Sequence, residues 1–167
     1  DWNLIKNFSK HISNKARVSI RCNFNDHINK FGNFSRFGID TTSQEFDFLL
    51  KEIKNHKELD LYGIHFHLPF RAFESFEYRS DKIIELIEKK GLKHIIKNIN
   101  IGGGFYSKKV PSNKLETDFS KYSKILTNKF SKIYKDQYPS LTLEPGTAIV
   151  ADTMYYYSKV HSLKKIN

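Results

Sequence analysis

Apolar and polar positions alternate along four short stretches of this chain, and stretches of helical period lie between them. Arg17 to Asn23 (RVSIRCN) has the two-residue period of a strand. Ser43 to His56 predicts a helix, opened by Ser43 as its cap, with Phe46, Leu49, Leu50 and Ile53 on one face. Leu59 to His67 (LDLYGIHFH) reads as a second strand. Phe73 to Lys90 reads as a second helix, with Ile83, Ile84, Leu86 and Ile87 apolar and Gly91 as its stop. A third strand over Lys97 to Ile101 and a long amphipathic helix over Asp118 to Tyr134 follow. A fourth strand over Ser140 to Glu144 is ended by Pro145-Gly146. Phe31 to Asp40 (FGNFSRFGID) reads as a Gly-containing loop. Ile149 to Leu163, rich in Tyr and Val, predicts the first strands of something different.

Strands alternating with helices at this spacing imply right-handed βαβ units and a parallel sheet. The parity within each strand says more. A parallel strand in a doubly wound sheet is apolar on both faces. Here Val18, Ile20 and Cys22 alternate with Arg17, Ser19, Arg21 and Asn23, and Ile64 and Phe66 alternate with His65 and His67. Ile99 and Ile101 alternate with Asn98 and Asn100, and Leu141 and Leu143 with Thr142 and Glu144. With the apolar parity facing helices, the polar parity of every strand faces one shared interior. That is the plan of part of a (β/α)8 TIM-type barrel, whose active sites gather at the carboxyl ends of the strands. A partly solvated sheet face without chemistry is the plainer alternative.

The chain has 167 residues, enough for one domain with a core and too few for most complete barrels. Its start, Asp1-Trp2-Asn3-Leu4, has neither the plan of a signal peptide nor an initiator Met, so the numbering is expected to begin inside a longer protein. Residues 1–150 are expected to form a partial barrel and residues 151–167 the start of a C-terminal β-domain. No apolar stretch approaches membrane-spanning length. The single cysteine, Cys22, allows no internal disulfide and fits a reducing cytoplasm; by parity it packs outward. The formal charge of +10 comes from lysines dispersed among Asn, Ile and Phe, with no basic run carrying interleaved aromatics. A nucleic-acid partner is therefore not expected.

Three residue sets carry candidate chemistry. Gly102, Gly103 and Gly104 directly follow a strand, where successive N–H groups unobstructed by Cβ atoms can cradle a phosphate. The run does not continue as a dinucleotide-binding G-x-G-x-x-G. Glu144, at the next strand end, reads either as an ion-pair partner for an arginine or as an anion that keeps a heterocyclic nitrogen protonated. His67 reads as a core histidine or a site residue. The His65-x-His67 pair also raises zinc, but no third ligand with recognisable spacing appears, although Glu144 could serve, and no metal is expected.

As an ordered set, Arg17-Val-Ser-Ile-Arg-Cys-Asn, Ser35-Arg-Phe-Gly-Ile, Gly63-Ile-His-Phe-His, Asn100-Ile-Gly-Gly-Gly-Phe and Leu143-Glu-Pro-Gly-Thr-Ala-Ile-Val-Ala are specific. The chain resembles the fold-type III pyridoxal-phosphate decarboxylases, the group of diaminopimelate, ornithine and arginine decarboxylases. The resemblance runs from about Arg17 to Val160. It implies an alanine-racemase-like barrel, pyridoxal 5'-phosphate as cofactor, and removal of the α-carboxylate of a basic or diamino acid. His67 matches the histidine that stacks on the cofactor ring, and Gly102, Gly103 and Gly104 the loop that holds the phosphate. Glu144 matches the partner of the pyridine nitrogen, and Arg21 an arginine near the cofactor. Gly146 and Thr147 fall in the second phosphate-binding turn. A homodimer is implied for the whole protein.

Two positions depart from the family pattern. Leu68-Pro69-Phe70 stands where x-Gly-Ser is usual, and Thr147 stands where an arginine usually meets the phosphate. Arg71 is a candidate for the missing charge. The Schiff-base lysine of the family belongs to an earlier strand and the substrate-reading loops to a later part, so residues 1 to 167 alone are expected to be inactive. An alanine-racemase-like enzyme and a non-catalytic binding homologue are the alternatives. The racemase reading is opposed by Glu144, since that enzyme pairs the pyridine nitrogen with arginine.

Overall fold

Alternation builds the strands, and a computed structural model describes residues 2–11, 13–25, 37–106, 119–150 and 157–163 of the chain. The strands are β1 (Ala16–Asn23), β2 (Ile39–Asp40), β3 (Leu59–His65), β4 (Asn98–Asn100) and β5 (Ser140–Thr142). They form one sheet in the order β2-β1-β3-β4-β5, and every pairing is parallel. The helices are α1 (Trp2–Ser9), α2 (Gln44–Asn55), α3 (Phe73–Lys89), α4 (Phe119–Phe130) and the short α5 (Thr147–Val150). This is the expected run of parallel βα units.

Local signals set the ends of the helices. Ser43 caps α2, its Oγ accepting the Phe46 N–H at 3.1 Å. Gly91, with φ at 61°, closes α3 in a Schellman turn. The Leu92 N–H reaches the Ile87 carbonyl at 2.8 Å and the Gly91 N–H reaches that of Glu88 at 3.2 Å. Leu92 is then fully buried beyond the turn.

The core lies between the helices and the apolar parity of the sheet. Ile20, Cys22, Ile64, Phe66, Ile99 and Ile101 meet Phe46, Leu50, Ile53, Phe76, Ile83 and Ile87 there. Burial pushes the Cys22 thiol far up, so it packs as an apolar side chain. Between α3 and α4, Phe76, Phe105 and Tyr122 stack at centroid distances of 4.4 to 5.0 Å. Burying each such ring contributes about 1.5–3 kcal/mol.

Four features differ from the sequence expectation. The segment Trp2–Ser9 is helical, and its Trp2 ring meets His56 edge-on at 6.1 Å. Within the expected loop, Ile39 and Asp40 pair with Cys22 and Asn23 as β2, because that edge of β1 offers unpaired backbone groups. Residues 31–36 of that loop lie outside the described residues, as does Asp118 at the expected start of α4. Ile149 and Val150 are helical rather than extended, since their N–H groups bond back to Gly146. Residues 151–156 lie outside the described residues, and residues 157–163 are exposed without regular structure.

The fourth difference is a bulge in β3. Val18 pairs with Leu61 and Ser19 with Gly63, so Tyr62 is an extra residue in β3 relative to β1. Leu59 and Leu61 are buried at odd positions before it, and Ile64 and Phe66 at even positions after it. The bulge therefore turns His65 and His67 onto the polar face.

Candidate functional site

Strand register brings the polar residues together. Arg21 on β1 lies beside His65, His65 beside Asn100 on β4, and Asn100 beside Thr142 on β5. One step further along the strands are His67, Gly102 and Glu144, with the Glu144 N–H bonded to the Gly102 carbonyl at 2.9 Å. The structure thus gathers the expected Arg21, His67, glycine run and Glu144 at one end of the sheet. Gly146 and Thr147 follow at the start of α5, both exposed.

The glycines are required by sterics. Gly102 and Gly104 have φ of 72° and 86°, in the left-handed region that favours glycine. A Cβ on Gly102 would lie 2.7 Å from His67 Cβ and Nδ1, and one on Gly103 would lie 2.3 Å from the Glu144 carbonyl oxygen. A Cβ on Gly104 would press on the Phe70 carbonyl at 3.0 Å and that of Leu68 at 3.2 Å. The backbone at Phe70 thus closes against the turn.

Two of the three glycine amides are engaged within the protein. The Gly102 N–H donates to Asn100 Oδ1 at 2.8 Å, and the Gly103 N–H donates to His67 Nδ1 at 3.0 Å. Gly104 is partly exposed, and its N–H has no partner among the described residues. The bond at Nδ1 places the proton of a neutral His67 ring on Nε2. Burial is the main cause holding His67 below the usual histidine value, and the Arg79, Arg21 and His65 charges add to it against Glu144. No lysine is among the groups acting on it. His65 is likewise pulled down by burial, with Glu144 opposing and Arg21 assisting. Its Nε2 is buried without a hydrogen bond, 3.9 Å from Glu144 Oε1.

Asn100 and Arg79 are the site-building residues that sequence reasoning did not single out. Asn100 donates from Nδ2 to Glu144 Oε1 at 2.8 Å, so one amide orients both the glycine turn and the carboxylate. Its inward parity beside the glycines was the available signal. Arg79 lies on the buried face of α3 beneath the turn. Its helical register with Phe76 and Ile83 marks that face in the sequence. Arg21 stacks on the Phe37 ring at 5.0 Å. Arg71 is half-buried, and its carbonyl accepts from the Tyr122 hydroxyl at 2.6 Å. Among the described residues, no three His, Cys, Asp or Glu side chains group as a metal site requires, and no helix is long and apolar enough to cross a membrane.

The fold is that of part of a parallel (β/α)8 barrel. The chain matches the model of the pyridoxal-dependent decarboxylase family, pyridoxal binding domain, over residues 3–151, and it belongs to that family. It is 30% identical over 186 residues to diaminopimelate decarboxylase of Methanocaldococcus jannaschii, an alignment covering 97% of this chain and 39% of that protein. The crystal structure of diaminopimelate decarboxylase from M. jannaschii matches with a TM-score of 0.73 at 24% identity, over 89% of this chain and 36% of that one. Lysine decarboxylase from Selenomonas ruminantium matches with a TM-score of 0.64 at 22% identity, over 89% and 38% of the two chains. This chain spans between 36% and 39% of the length of these relatives.

The residues present suit the cofactor of that family. The glycine turn packs so closely on His67 and the Glu144 and Phe70 carbonyls that no Cβ fits, the His67 ring is held in orientation by the Gly103 N–H, and the Glu144 carboxylate is aligned by Asn100. At the two positions that depart from the family pattern, the Phe70 carbonyl abuts Gly104 where a hydroxyl is usual, and Thr147 carries no charge.

Proposed function

We propose that this chain is the cofactor-binding part of a pyridoxal-phosphate-dependent carboxy-lyase that removes the α-carboxylate of a basic or diamino acid. The observation that carries the reading is the alignment of Glu144 by Asn100, beside a neutral His67 and the glycine turn. Bound pyridoxal phosphate supplies an electron sink for the charge left by the departing carboxylate. Glu144 would accept a hydrogen bond from the ring nitrogen and keep it protonated, which would favour that sink. The His67 ring would stack on the cofactor, and its depressed affinity for protons would avoid a second cation against the protonated ring. The Gly104 amide, with Gly146 and Thr147, would hold the phosphate. Arg21 adds positive charge on the polar face near both histidines. The whole protein is proposed to be a cytoplasmic homodimer, with residues 1–150 in the barrel and 151–167 entering a C-terminal β-domain.

The decisive experiment adds pyridoxal phosphate to the whole protein, follows the absorbance of bound cofactor, and then measures carbon dioxide release from diaminopimelate, lysine, ornithine and arginine. Saturable binding with release from one of them is expected. Absence of binding overturns the reading. Binding without release from any amino acid would favour the non-catalytic homologue, which the Phe70 and Thr147 replacements support. Residues 1 to 167 alone are expected to show no turnover.

A further inference from the structure

Arg79 is buried completely at the middle of α3, beneath the glycine turn. Its Nη1 donates to the Ile101 carbonyl at 2.7 Å and to the Gly103 carbonyl at 2.9 Å, and its Nε donates to the Ser75 carbonyl at 3.2 Å. The guanidinium lies over the Phe76 ring at 3.8 Å, while Nη2 is buried with no hydrogen bond. An apolar side chain would fill this space without removing a charge from water, so packing alone does not account for arginine here. What it alone supplies is a fork that grips two alternate carbonyls of the glycine turn.

In a trans peptide the C=O and the following N–H point in opposite directions, and no cis bond occurs among the described residues. Holding the Ile101 carbonyl toward α3 therefore sends the Gly102 N–H the other way, where Asn100 receives it. Holding the Gly103 carbonyl toward α3 likewise sends the Gly104 N–H outward, where no described residue receives it. Below the loop, Phe105 is locked against Phe76 at 4.8 Å, so the turn cannot rotate away from the fork.

We propose that Arg79 is the positioning residue of the phosphate turn, aiming the Gly104 amide at the phosphate and charging the turn from behind. This rests on the cofactor reading and deepens it. A phosphate oxygen bonded to Gly104 N–H would lie about 8 Å from the guanidinium, two hydrogen bonds and one peptide width away. The Arg79 charge is fully buried, so its field at the turn is screened less than that between two exposed charges. Arg79 thereby compensates for the absent cation at Thr147. Burial pulls the guanidinium down to about 9, which leaves it cationic at neutral pH.

The test compares the affinity of the whole protein for pyridoxal phosphate with that for pyridoxal, which lacks only the phosphate. The wild type is expected to prefer the phosphorylated form. In Arg79→Gln, neutral yet able to reach one carbonyl, the preference should fall roughly tenfold while pyridoxal affinity stays the same. A merely structural role would weaken both ligands together. A folded Arg79→Gln with the wild-type preference overturns the proposal. The wild-type protein provides a second measurement that does not depend on folding of a variant. Inorganic phosphate should shift the Gly104 amide resonance, and an unmoved Gly104 resonance in a protein that prefers the phosphorylated ligand also overturns it. A wild type with no preference for pyridoxal phosphate over pyridoxal sinks the cofactor reading itself, whatever the variant does.

Discussion

Asn100 holds the carboxylate of Glu144: its Nδ2 donates to Glu144 Oε1 at 2.8 Å while its Oδ1 takes the Gly102 N–H at the same distance. The strand residue before the glycine run thereby couples the two halves of the site. Replacing it with Ala leaves the buried Gly102 N–H without a partner and Glu144 free to rotate. Asn100→Ala is expected to cost about 1–3 kcal/mol of stability, measured by chemical denaturation, and to weaken cofactor binding as well. Unchanged stability would show that water replaces Asn100 freely.

Gly103 meets Glu144 through backbone alone. A Cβ there would stand 2.3 Å from the Glu144 carbonyl oxygen, and neither chain can yield without breaking the β4–β5 ladder. Gly103→Ala is expected to destabilise the protein by about 1–3 kcal/mol and to remove cofactor binding. A crystal structure or thermal melt showing the variant unperturbed would contradict this geometry.

The two histidines make stability depend on acid. Burial is the leading cause that lowers both below the ordinary histidine value of 6.5. The unfolded chain therefore takes up protons that the folded chain refuses as pH falls below about 6.5, and stability drops with it. Their contribution is present above that pH and is lost as the pH falls through the folded values. Denaturation midpoints at pH 7.5 and 5.5 should show the loss, and His67→Gln should reduce it. A flat profile between those values would count against neutral histidines.

Arg71 provides a separate test of charge at the mouth of the site. Its backbone is anchored by Tyr122 next to Phe70, whose carbonyl abuts Gly104. Arg71→Ala is expected to lower affinity for pyridoxal phosphate several-fold and leave that for pyridoxal unaltered. Equal affinity in variant and wild type would remove Arg71 from phosphate binding.

The bulge at Tyr62 is testable by deletion. Removing Tyr62 would leave Leu61, Gly63, Ile64 and His65 in continuous register with Val18, Ser19, Ile20 and Arg21, and His65 and His67 would stay on the polar face. The deleted chain is therefore expected to unfold cooperatively and the whole protein to keep its cofactor affinity. Loss of cooperative unfolding would show that the bulge does more than keep the histidines in phase.

Much of this protein was legible from its residue pattern alone. The Ser43 cap, the Gly91 stop, the four principal strands and the parallel βα order all depend on neighbours a few residues apart, and such short-range physics is written directly in the chain. The ordered motifs likewise carry the family resemblance in the residues themselves. Tertiary structure decided the rest. Trp2–Ser9 and Ile39–Asp40 are held by docking and edge pairing, which local periodicity does not encode. Which side His65 and His67 face depends on the extra residue in β3, visible only against the pairing with β1. Which glycine amide stays available depends on Arg79, Asn100 and His67, reaching the turn from another helix, its own strand and the next. Alternation states which residues share a face. Only packing decides which of their hydrogen-bonding groups remain open to a ligand, because each must first satisfy its buried neighbours.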